Sequence, residues 1–387
     1  MSPGCTVLIF NQYFVPGFRG GGPIVSVYNL SLLLANDYRV FVVCRNRDGL
    51  TTVPYANVLT DQWQQLENTN VRVFYASDAA ITRDRFAALI KETTPDYVML
   101  NSFFNPKFSI LPYLAARAVG LPPQRIVINP RGEFDADSLR IKPLKKYPFL
   151  WGVRLTGLGR KIRWAPTNAT EEADTRRLFG NRITAYKMSN IPRQRIEPPR
   201  PPRRPPFTKF VFLSRVDRKK NVEYIVQRLS EQPEAVSLAI YGPIANDAYW
   251  RSVQQAMAQA PDHVTITYEG EVEPAKIPEV LSAYDYFVLP TLGENFGHAI
   301  MDGLACGLPV LLSDRTPWAK HDHPHFGYSL PLESPALWQT AIRNMVTADA
   351  ATYRAWSENA RALATRVAND PNFRTSAARV FPCPPPA

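Results

Sequence analysis

Cysteine is scarce in this chain of 387 residues, and its four copies lie far apart. Cys5, Cys44, Cys306 and Cys383 show no paired spacing, so the sequence predicts neither a zinc knuckle nor a disulfide framework. The first three fall in or beside predicted buried elements. We therefore expect them to be small core residues of a protein in a reducing cytosol.

Long apolar runs are also missing. No stretch of roughly 18 or more apolar residues predicts a membrane span, and the apolar run at residues 6–10 is too short for a secretory signal. Hydrophobic residues nevertheless make up 45% of the chain, which is ample for a core. Because the chain is longer than one core usually holds, we expect two cytoplasmic domains.

Acidic residues are absent from residues 138–164, although the whole chain carries 34 of them. Cations interleaved with aromatic and aliphatic side chains fill this segment, a pattern typical of an anionic membrane surface. A solvated basic helix is the alternative. The residues expected at the membrane are Arg140, Lys142, Lys145, Lys146, Trp151 and Arg154. We find no helix-turn-helix, ribonucleoprotein motif or zinc spacing, so nucleic acid is not an expected partner.

The most informative segment is residues 286–314. An apolar strand at 286–289 ends at a proline, a glycine-containing loop follows, and a helix is predicted from Asn295 or Phe296 to about residue 306. A second strand at 308–312 completes a unit typical of parallel α/β sheets. Acids stand at Glu294 and Asp302. The backbone N–H groups of Phe296, Gly297 and His298 would suit an anion at the helix start.

A basic turn lies upstream, between a strand at 210–213 and a helix at 222–229. Arg215 and Lys220 stand in this turn, five residues apart. Fixed cations in a turn between a strand and a helix are suited to binding an anionic group. Arg218 and Lys219 are expected to be ordinary surface charges.

A glycine run follows the first predicted strand. Gly20, Gly21 and Gly22 would let the backbone approach a ligand closely, and Pro23 suits the first turn of the next helix. The run is not the dinucleotide fingerprint Gly-x-Gly-x-x-Gly. A plain tight turn is the alternative.

Together these segments resemble the retaining glycosyltransferases of family 4, which have the GT-B fold. The family pattern is Glu-x7-Glu followed by Ala-x-Gly-x-Pro-Val. Glu294 matches the first acid and residues 305–310 match the tail, whereas Asp302 replaces the second Glu. The resemblance implies an α/β protein with two Rossmann-like parallel-sheet domains facing a central cleft.

The resemblance also implies roles for the residues above. Glu294 would contact the transferred sugar, and Arg215 and Lys220 would clamp the donor diphosphate; these three are the expected catalytic residues. The expected donor-binding residues are Gly20, Gly21, Gly22, Asn295, Phe296, Gly297, His298 and Asp302, the last on the ribose hydroxyls. No cofactor or metal is expected, since a nucleotide diphosphate sugar serves as co-substrate.

Domain boundaries follow from composition. Residues 192–206 are rich in proline and arginine and should form an extended connector. We therefore predict an acceptor domain at 1–191, a donor domain at 207–370 and a loose tail at 371–387. The connector could alternatively be a ligand for proline-reading domains. The predicted strands are 6–10, 39–44, 71–75, 97–100 and 125–129 in the first half, and 209–213, 236–241, 263–268, 286–289 and 308–312 in the second.

Two patterns look like metal sites but are not expected to be. Asp135 and Asp137 form an Asp-x-Asp triplet that does not follow an identifiable strand. In the cluster at 321–325, histidines alternate with an aspartate and a proline, and neighbouring ligands on such a loop rarely converge on one ion. Many family members place a His after the fourth strand, but residues 100–105 contain none. We expect acceptor contacts from Asn101, Arg131 and Glu133 instead.

The sequence therefore predicts a retaining glycosyltransferase that moves a hexose-type sugar to a glycan or polyprenyl-diphosphate-linked acceptor. The expected setting is bacterial exopolysaccharide or lipopolysaccharide synthesis at the inner face of the cell membrane. One alternative is a nucleotide-sugar 2-epimerase of the same fold, which would need acid and base groups in its site. Another is a non-catalytic, membrane-associated scaffold.

Overall fold

The structure is a computed structural model that describes residues 4–49, 51–193, 196–197, 208–321 and 325–383, without the side chain of Asp137. The chain divides into two compact units, Met1–Ile191 with Pro371–Ala387 and Pro192–Asp370. The division falls where the proline-rich segment begins. Most of the predicted connector lies outside the described residues.

A single sheet forms the centre of the first unit. Its described strands are β1 (Cys5–Phe10), β2 (Tyr38–Arg45), β3 (Trp63–Gln65), β4 (Val71–Ala76), β5 (Tyr97–Leu100), β6 (Ile126–Ile128), β7 (Arg163–Trp164) and β8 (Thr184–Ala185). They lie in the order β3-β4-β2-β1-β5-β6-β7-β8, parallel except for β3 against β4. Alternate residues of β1 enter two different core clusters, so both faces of the sheet are covered, as its unbroken apolar sequence requires.

Helices pack on both faces of this sheet. The described α-helices are α1 (Gly22–Leu34), α2 (Arg83–Thr93), α3 (Leu111–Ala118), α4 (Ala136–Arg140), α5 (Pro143–Leu155), α6 (Leu158–Lys161), α7 (Ala169–Phe179) and, from the end of the chain, α14 (Asn372–Val380). Strands β3, β7 and β8 were not predicted. Each is only two or three residues long, which is too short for a period to show.

The prediction of a loose tail after residue 370 is wrong for its described part. Helix α14 packs in the first unit with α1. Phe381 is fully buried there, and its carbonyl accepts a hydrogen bond from the Tyr38 hydroxyl at 2.8 Å. The Tyr97 hydroxyl donates to the Pro382 carbonyl at 2.9 Å. The terminal prolines suggested a loose end, but the preceding apolar residues fill a core position.

The cysteine prediction is also wrong for one pair. Cys5 and Cys383 form a disulfide with their Cα atoms 6.0 Å apart, although 378 residues separate them in the sequence. Spacing could not reveal this pair, because it depends on the return of α14 to β1. Cys44 is buried as expected, and burial raises the pKa of its thiol.

The second unit repeats the architecture around a six-stranded parallel sheet in its described part. Its strands are β9 (Thr208–Leu213), β10 (Val236–Tyr241), β11 (Val264–Gly270), β12 (Tyr286–Leu289), β13 (Val310–Ser313) and β14 (Gly327–Leu330). Its helices are α8 (Val222–Ser230), α9 (Asp247–Ala258), α10 (Ile277–Leu281), α11 (His298–Ala305), α12 (Pro335–Val346) and α13 (Ala350–Ala368). The strand order is β11-β10-β9-β12-β13-β14.

Candidate functional site

The order of strands in the second unit creates a switch point between β9 and β12. From β9 the chain moves outward through β10 and β11, and it then crosses back to place β12 on the other side of β9. The loops that leave these two strands therefore diverge, and ligands of open parallel sheets bind in the crevice that results. Arg215 and Lys220 lie in the loop after β9, and Glu294 lies in the loop after β12.

Backbone hydrogen bonds join these two loops. The Lys219 carbonyl accepts from the N–H of Leu292 at 2.7 Å and from the hydroxyl of Thr291 at 3.0 Å. Thr291 is fully buried, and its own carbonyl accepts from Ser313 at 2.6 Å. The residue after Lys219 is thus fixed next to the loop that carries Glu294.

Lys220 and Glu294 form an ion pair through Nζ and Oε1. Their side chains are only 13% and 12% exposed, so water screens the pair much less than a surface pair. The sequence predicted both residues at the donor but did not predict their contact. The pair places one cation and one carboxylate at the switch point without adding net charge.

Arg215 is placed differently. Its guanidinium is about half exposed and lies 3.3 Å from the Asp217 carboxylate. The other oxygen of Asp217 accepts from the backbone N–H of Lys220 at 3.0 Å. Asp217 therefore links the two predicted phosphate-binding cations, a role that the sequence analysis did not assign.

The helix after β12 begins two residues later than predicted. Gly297 has a φ of 82° and forms the N-cap of α11, so the backbone there is left-handed and cannot belong to the helix. Asn295 and Phe296 consequently lie in the loop, and His298 is the first helical residue. The loop is held by Trp318, whose indole N–H donates to the Phe296 carbonyl at 2.5 Å.

Asp302 lies on α11 and is largely buried. Its carboxylate is 13% exposed, and burial raises its pKa to about 6, although nearby Arg193 opposes the shift. Arg193 Nε lies 3.7 Å from Asp302 Oδ1. The sequence analysis placed Arg193 in the connector and gave it no role. Nothing in the sequence of a proline-rich segment indicates which carboxylate one of its basic residues will contact.

The glycine loop of the first unit precedes α1, which begins at Gly22. Gly21 has a φ of 66° and forms the N-cap, so this position requires the conformational freedom of glycine. Asp48, which is buried, holds the start of the loop by accepting from the N–H groups of Phe18 at 2.7 Å and Arg19 at 2.9 Å. Contact of Gly20, Gly21 and Gly22 with a donor diphosphate stays a prediction.

Asparagine follows each of the three central strands of the first unit. Asn11, Asn101 and Asn129 come directly after β1, β5 and β6, and all three are buried. Asn101 Nδ2 donates to Asn11 Oδ1 at 2.8 Å. Since β1 and β5 flank the switch point of this sheet, amide groups occupy the place that charged groups occupy in the second unit.

The predicted acceptor residues join this amide cluster. Arg131 Nε donates to Asn101 Oδ1 at 2.6 Å, and Nη1 contacts the side chain of Asn190. Burial lowers the pKa of Arg131 to about 10, and Glu171 opposes the shift. The structure thus brings Asn101 and Arg131 together, whereas their contact with an acceptor stays a prediction.

Glu133 is held within the fold. One carboxylate oxygen accepts from the Ser102 hydroxyl at 2.6 Å. The other accepts from the N–H groups of Phe103 at 2.6 Å and Phe104 at 3.0 Å. A carboxylate with three such donors fixes the loop after β5, so it has less capacity for a ligand than the sequence analysis assumed.

Two patterns in the sequence resemble metal sites, the Asp-x-Asp triplet and the histidine cluster. Asp135 caps α4, where its carboxylate accepts from the Ser138 N–H at 2.6 Å. The central residues of the histidine cluster at 321–325 lie outside the described residues. Among those described, no group of three metal-ligating side chains converges.

The basic segment at 138–164 separates into a buried and an exposed part. Trp164 is fully buried and stacks on Phe179 with ring centroids 4.8 Å apart. Lys146 Nζ donates to the Ser138 carbonyl at 2.6 Å and lies 5.0 Å from the Phe104 ring centroid. Lys146, which the sequence placed at the membrane, is therefore engaged within the fold.

Helix α5 carries the exposed part of this segment. We call its large exposed apolar residues the α5 stripe: Leu144, Tyr147, Trp151 and Leu155. Steps of three, four and four residues place them on one helical face, and Leu144 and Trp151 are 90% and 69% exposed. Leu150 and Val153 are buried on the opposite side. Among the described residues, no helix is both long and apolar enough to cross a membrane.

Comparison with known proteins relates the second unit to one family. Residues 208–348 match the family model of the Glycosyl transferases group 1. This range begins at β9 and includes the β9 and β12 loops with Arg215, Lys220, Glu294 and Asp302. The second unit is therefore similar to the group 1 glycosyl transferases. The resemblance predicted from the sequence is confirmed at this level.

Two curated relatives match shorter segments. The O-antigen chain mannosyltransferase B of Escherichia coli is 25% identical over 27% of this chain. The GtfA subunit of the UDP-N-acetylglucosamine–peptide N-acetylglucosaminyltransferase of Streptococcus pneumoniae is 25% identical over 34% of the chain. The matches span 28% and 26% of the lengths of these relatives.

Solved structures match over nearly the whole chain. HepE of Anabaena, in complex with UDP and glucose, has a TM-score of 0.67 at 14% identity, covering 97% of this chain and 99% of its own. Sucrose-phosphate synthase of Thermosynechococcus elongatus has a TM-score of 0.72 at 16% identity, covering 97% and 98%. WaaG, a glycosyltransferase involved in lipopolysaccharide biosynthesis, has a TM-score of 0.62 at 14% identity, covering 98% and 100%. These likenesses confirm the predicted GT-B fold, and with the family match they indicate a glycosyltransferase.

Proposed function

We propose that the protein is a retaining glycosyltransferase that transfers a hexose-type sugar from a nucleotide diphosphate sugar to a glycan or lipid-linked acceptor. The observation that carries this proposal is the Lys220–Glu294 pair at the switch point of the second unit. The family match of the same unit supports it, as does the complex of HepE with UDP and glucose.

In the proposed reaction the acceptor hydroxyl attacks the anomeric carbon on the face from which the diphosphate leaves. A bond forms between the acceptor oxygen and the anomeric carbon, and the bond from that carbon to the phosphate oxygen breaks. The departing phosphate oxygen takes the hydroxyl proton, so no side-chain base is needed. Lys220 and Arg215 stabilise the charge that develops on the diphosphate, and Glu294 orients the sugar hydroxyls.

The Lys220–Glu294 contact adds a step to donor binding. A diphosphate that approaches Lys220 competes with Glu294 for the ammonium, and a sugar hydroxyl then becomes the new partner of the carboxylate. This exchange keeps a largely buried pair compensated in both states, since a lone buried charge would be costly. In both states the positive charge of Lys220 therefore lies beside a negative group, first the Glu294 carboxylate and then the donor diphosphate.

The substitution Lys220→Ala tests this assignment. We expect turnover to fall by on the order of 100-fold or more, because a fixed transition-state cation is lost, whereas donor affinity should fall less. Arg218→Ala is the matched control, since Arg218 is an exposed cation of the same loop. Activity would be measured as nucleoside diphosphate release from a panel of nucleotide sugars with lipid-linked or glycan acceptors. Turnover within threefold of wild type for both Lys220→Ala and Arg215→Ala would remove the proposed diphosphate clamp.

The same assay separates the alternatives. An epimerase would change the nucleotide sugar without an acceptor, and a scaffold would bind membrane without turning over any donor. The described residues of the donor loops offer cations and two carboxylates that are each paired with one of them, which suits departure of a diphosphate better than proton exchange at carbon. Transfer is therefore the function we propose.

We also propose that the protein is cytoplasmic and attaches peripherally to the inner face of the cell membrane through the first unit. The α5 stripe would insert among lipid headgroups, and Lys142, Lys145 and Arg154, which are exposed beside it, would meet anionic lipid. The roles of the mannosyltransferase and WaaG support a lipopolysaccharide or exopolysaccharide setting. A sugar acceptor on polyprenyl diphosphate would be presented at the same surface.

A further inference from the structure

The start of the connector contacts helix α11 and the segment before α10 in the second unit. Arg193 donates from Nη2 to the Pro274 carbonyl at 3.0 Å, and its Nε lies 3.7 Å from Asp302 Oδ1. Its side chain is 28% exposed and that of Asp302 is 13% exposed. The guanidinium is therefore anchored by a backbone carbonyl on one side and directed at a largely buried carboxylate on the other.

The backbone of the connector fixes this arrangement. Four residues after Arg193, the N–H of Glu197 donates to the Ala305 carbonyl of α11 at 3.2 Å. The side chain of Ile196 packs against the core of the second unit. These contacts hold residues 196–197 against the second unit, beside the helix that contains Asp302.

The other charged side chains near α11 have partners of their own or are exposed. In the neighbouring helix α13, Arg361 contacts the Ser357 hydroxyl at 3.3 Å, and Lys276 before α10 pairs with Glu273 at 3.7 Å. Glu279 of α10 is exposed, and the adjoining strands β12 and β13 present uncharged residues. Among the described groups, the Arg193 guanidinium lowers the pKa of the Asp302 carboxyl against the effect of burial, and His298, one turn before Asp302 on α11, is a further titratable group beside it.

We propose that Arg193 is a positioning residue for the donor, which keeps the Asp302 carboxylate ionised so that it accepts hydrogen bonds from the two ribose hydroxyls. This inference rests on the proposed function, in which Asp302 binds the nucleotide ribose. An ionised carboxylate has two acceptor oxygens for a vicinal diol, whereas a protonated one must use one oxygen as a donor. Because Asp302 is shorter than the usual Glu and is buried, it needs a nearby cation to remain charged.

The first test needs no ligand. Carboxyl carbons of aspartate would be labelled with ¹³C, Asp302 assigned by its loss in Asp302→Asn, and its titration followed in wild type, Arg193→Ala and Arg193→Lys. We expect a midpoint near pH 6 in wild type, a midpoint at least one pH unit higher in Arg193→Ala, and partial return in Arg193→Lys. Equal midpoints in wild type and Arg193→Ala would overturn the proposal.

The second test measures affinity for UDP, with GDP as a second probe, by calorimetry between pH 5.5 and 9. We expect Arg193→Ala to bind roughly eightfold more weakly than wild type at pH 5.5 and roughly threefold more weakly at pH 6.5, because a titration midpoint one pH unit higher lowers the ionised fraction by about these factors. At pH 9 the two affinities should converge. A constant ratio across the pH range would show a direct contact and would contradict the positioning role.

The two tests also distinguish the inference from the proposed function. If wild type binds neither UDP nor GDP, the proposed function fails and the ribose role falls with it. If wild type binds UDP with the same pH profile as Arg193→Ala, the proposed function stands and the role of Arg193 is refuted. Arg193→Lys guards against a folding defect, since it keeps the charge and should partly restore the wild-type profile.

Discussion

Replacing Asp302 by asparagine should remove a proposed ligand contact and at the same time stabilise the second unit against unfolding. Burial raises the pKa of this carboxyl from its ordinary 3.8 to about 6. Because the folded-state pKa is higher than the unfolded one, the proton-linked stability is present below pH 3.8 and is lost as pH rises through about 6. At pH 7 the ionised form therefore costs about 3 kcal/mol, the difference of 2.2 between the two pKa values at about 1.4 kcal/mol each.

Asp302→Asn removes this cost because the amide has nearly the shape of the protonated acid. We expect unfolding of the second unit to become less favourable by about 3 kcal/mol at pH 7 and by close to zero near pH 4. For a unit of this size the melting temperature would rise by roughly 6–12 °C. UDP affinity should fall at the same time, since the neutral amide has a single acceptor oxygen where the carboxylate has two.

Scanning calorimetry and urea unfolding across pH 4–8 would measure the change, with the transitions of the two units resolved separately. Asp262→Asn is the control, because Asp262 is an exposed carboxylate of the same unit and should leave stability unchanged. A variant that is destabilised at pH 7, or stabilised equally at every pH, would refute the argument. Either result would mean that packing, and not the ionised carboxylate, sets the energy at this position.

Three further predictions concern other parts of the molecule. Activity should survive EDTA and the pair Asp135→Asn with Asp137→Asn, and stability should change little because asparagine caps a helix about as well as aspartate; loss on chelation that manganese restores would support a metal there. Replacing Leu144 and Trp151 of the α5 stripe with serine should reduce co-sedimentation with anionic vesicles at high salt, without changing UDP affinity; equal partition of variant and wild type would remove the membrane proposal. Cys5→Ser should lower the melting temperature of the first unit, and a reductant should affect wild type but not the variant; identical melting with and without reductant would exclude the disulfide in solution.

Much of the architecture could be predicted because buried parallel strands have continuous apolar sequences. The predicted strands at 6–10, 71–75 and 286–289 coincide with observed strands to within a residue. The loops could be predicted as well, since a strand, a charged turn and a helix follow one another in both donor segments. Parallel strands end at one edge of a sheet, so residues in separate loops were expected to meet.

The rest depends on contacts between distant segments. The pairing of Cys5 with Cys383 requires the last helix to return to the first strand, and no local pattern encodes that return. In the sequence Lys146 cannot be told apart from the neighbouring cations. In the structure it differs from them because its ammonium donates a hydrogen bond to the Ser138 carbonyl. Gly297 shows the same limit on a smaller scale, because its positive φ moves the helix start while its sequence context favours an earlier one.

The two switch points of the molecule differ in chemistry, and the difference has a physical reason. In the second unit, the loops after β9 and β12 carry the ion pairs Arg215–Asp217 and Lys220–Glu294, and such charged groups suit a ligand whose charge changes as a bond breaks. In the first unit, Asn11 and Asn101 follow β1 and β5, and Arg131 is already engaged by amide oxygens. Neutral amides donate and accept at once, which suits hydroxyl groups that stay uncharged through the reaction. This contrast supports a donor on the second unit and a hydroxyl-rich acceptor on the first.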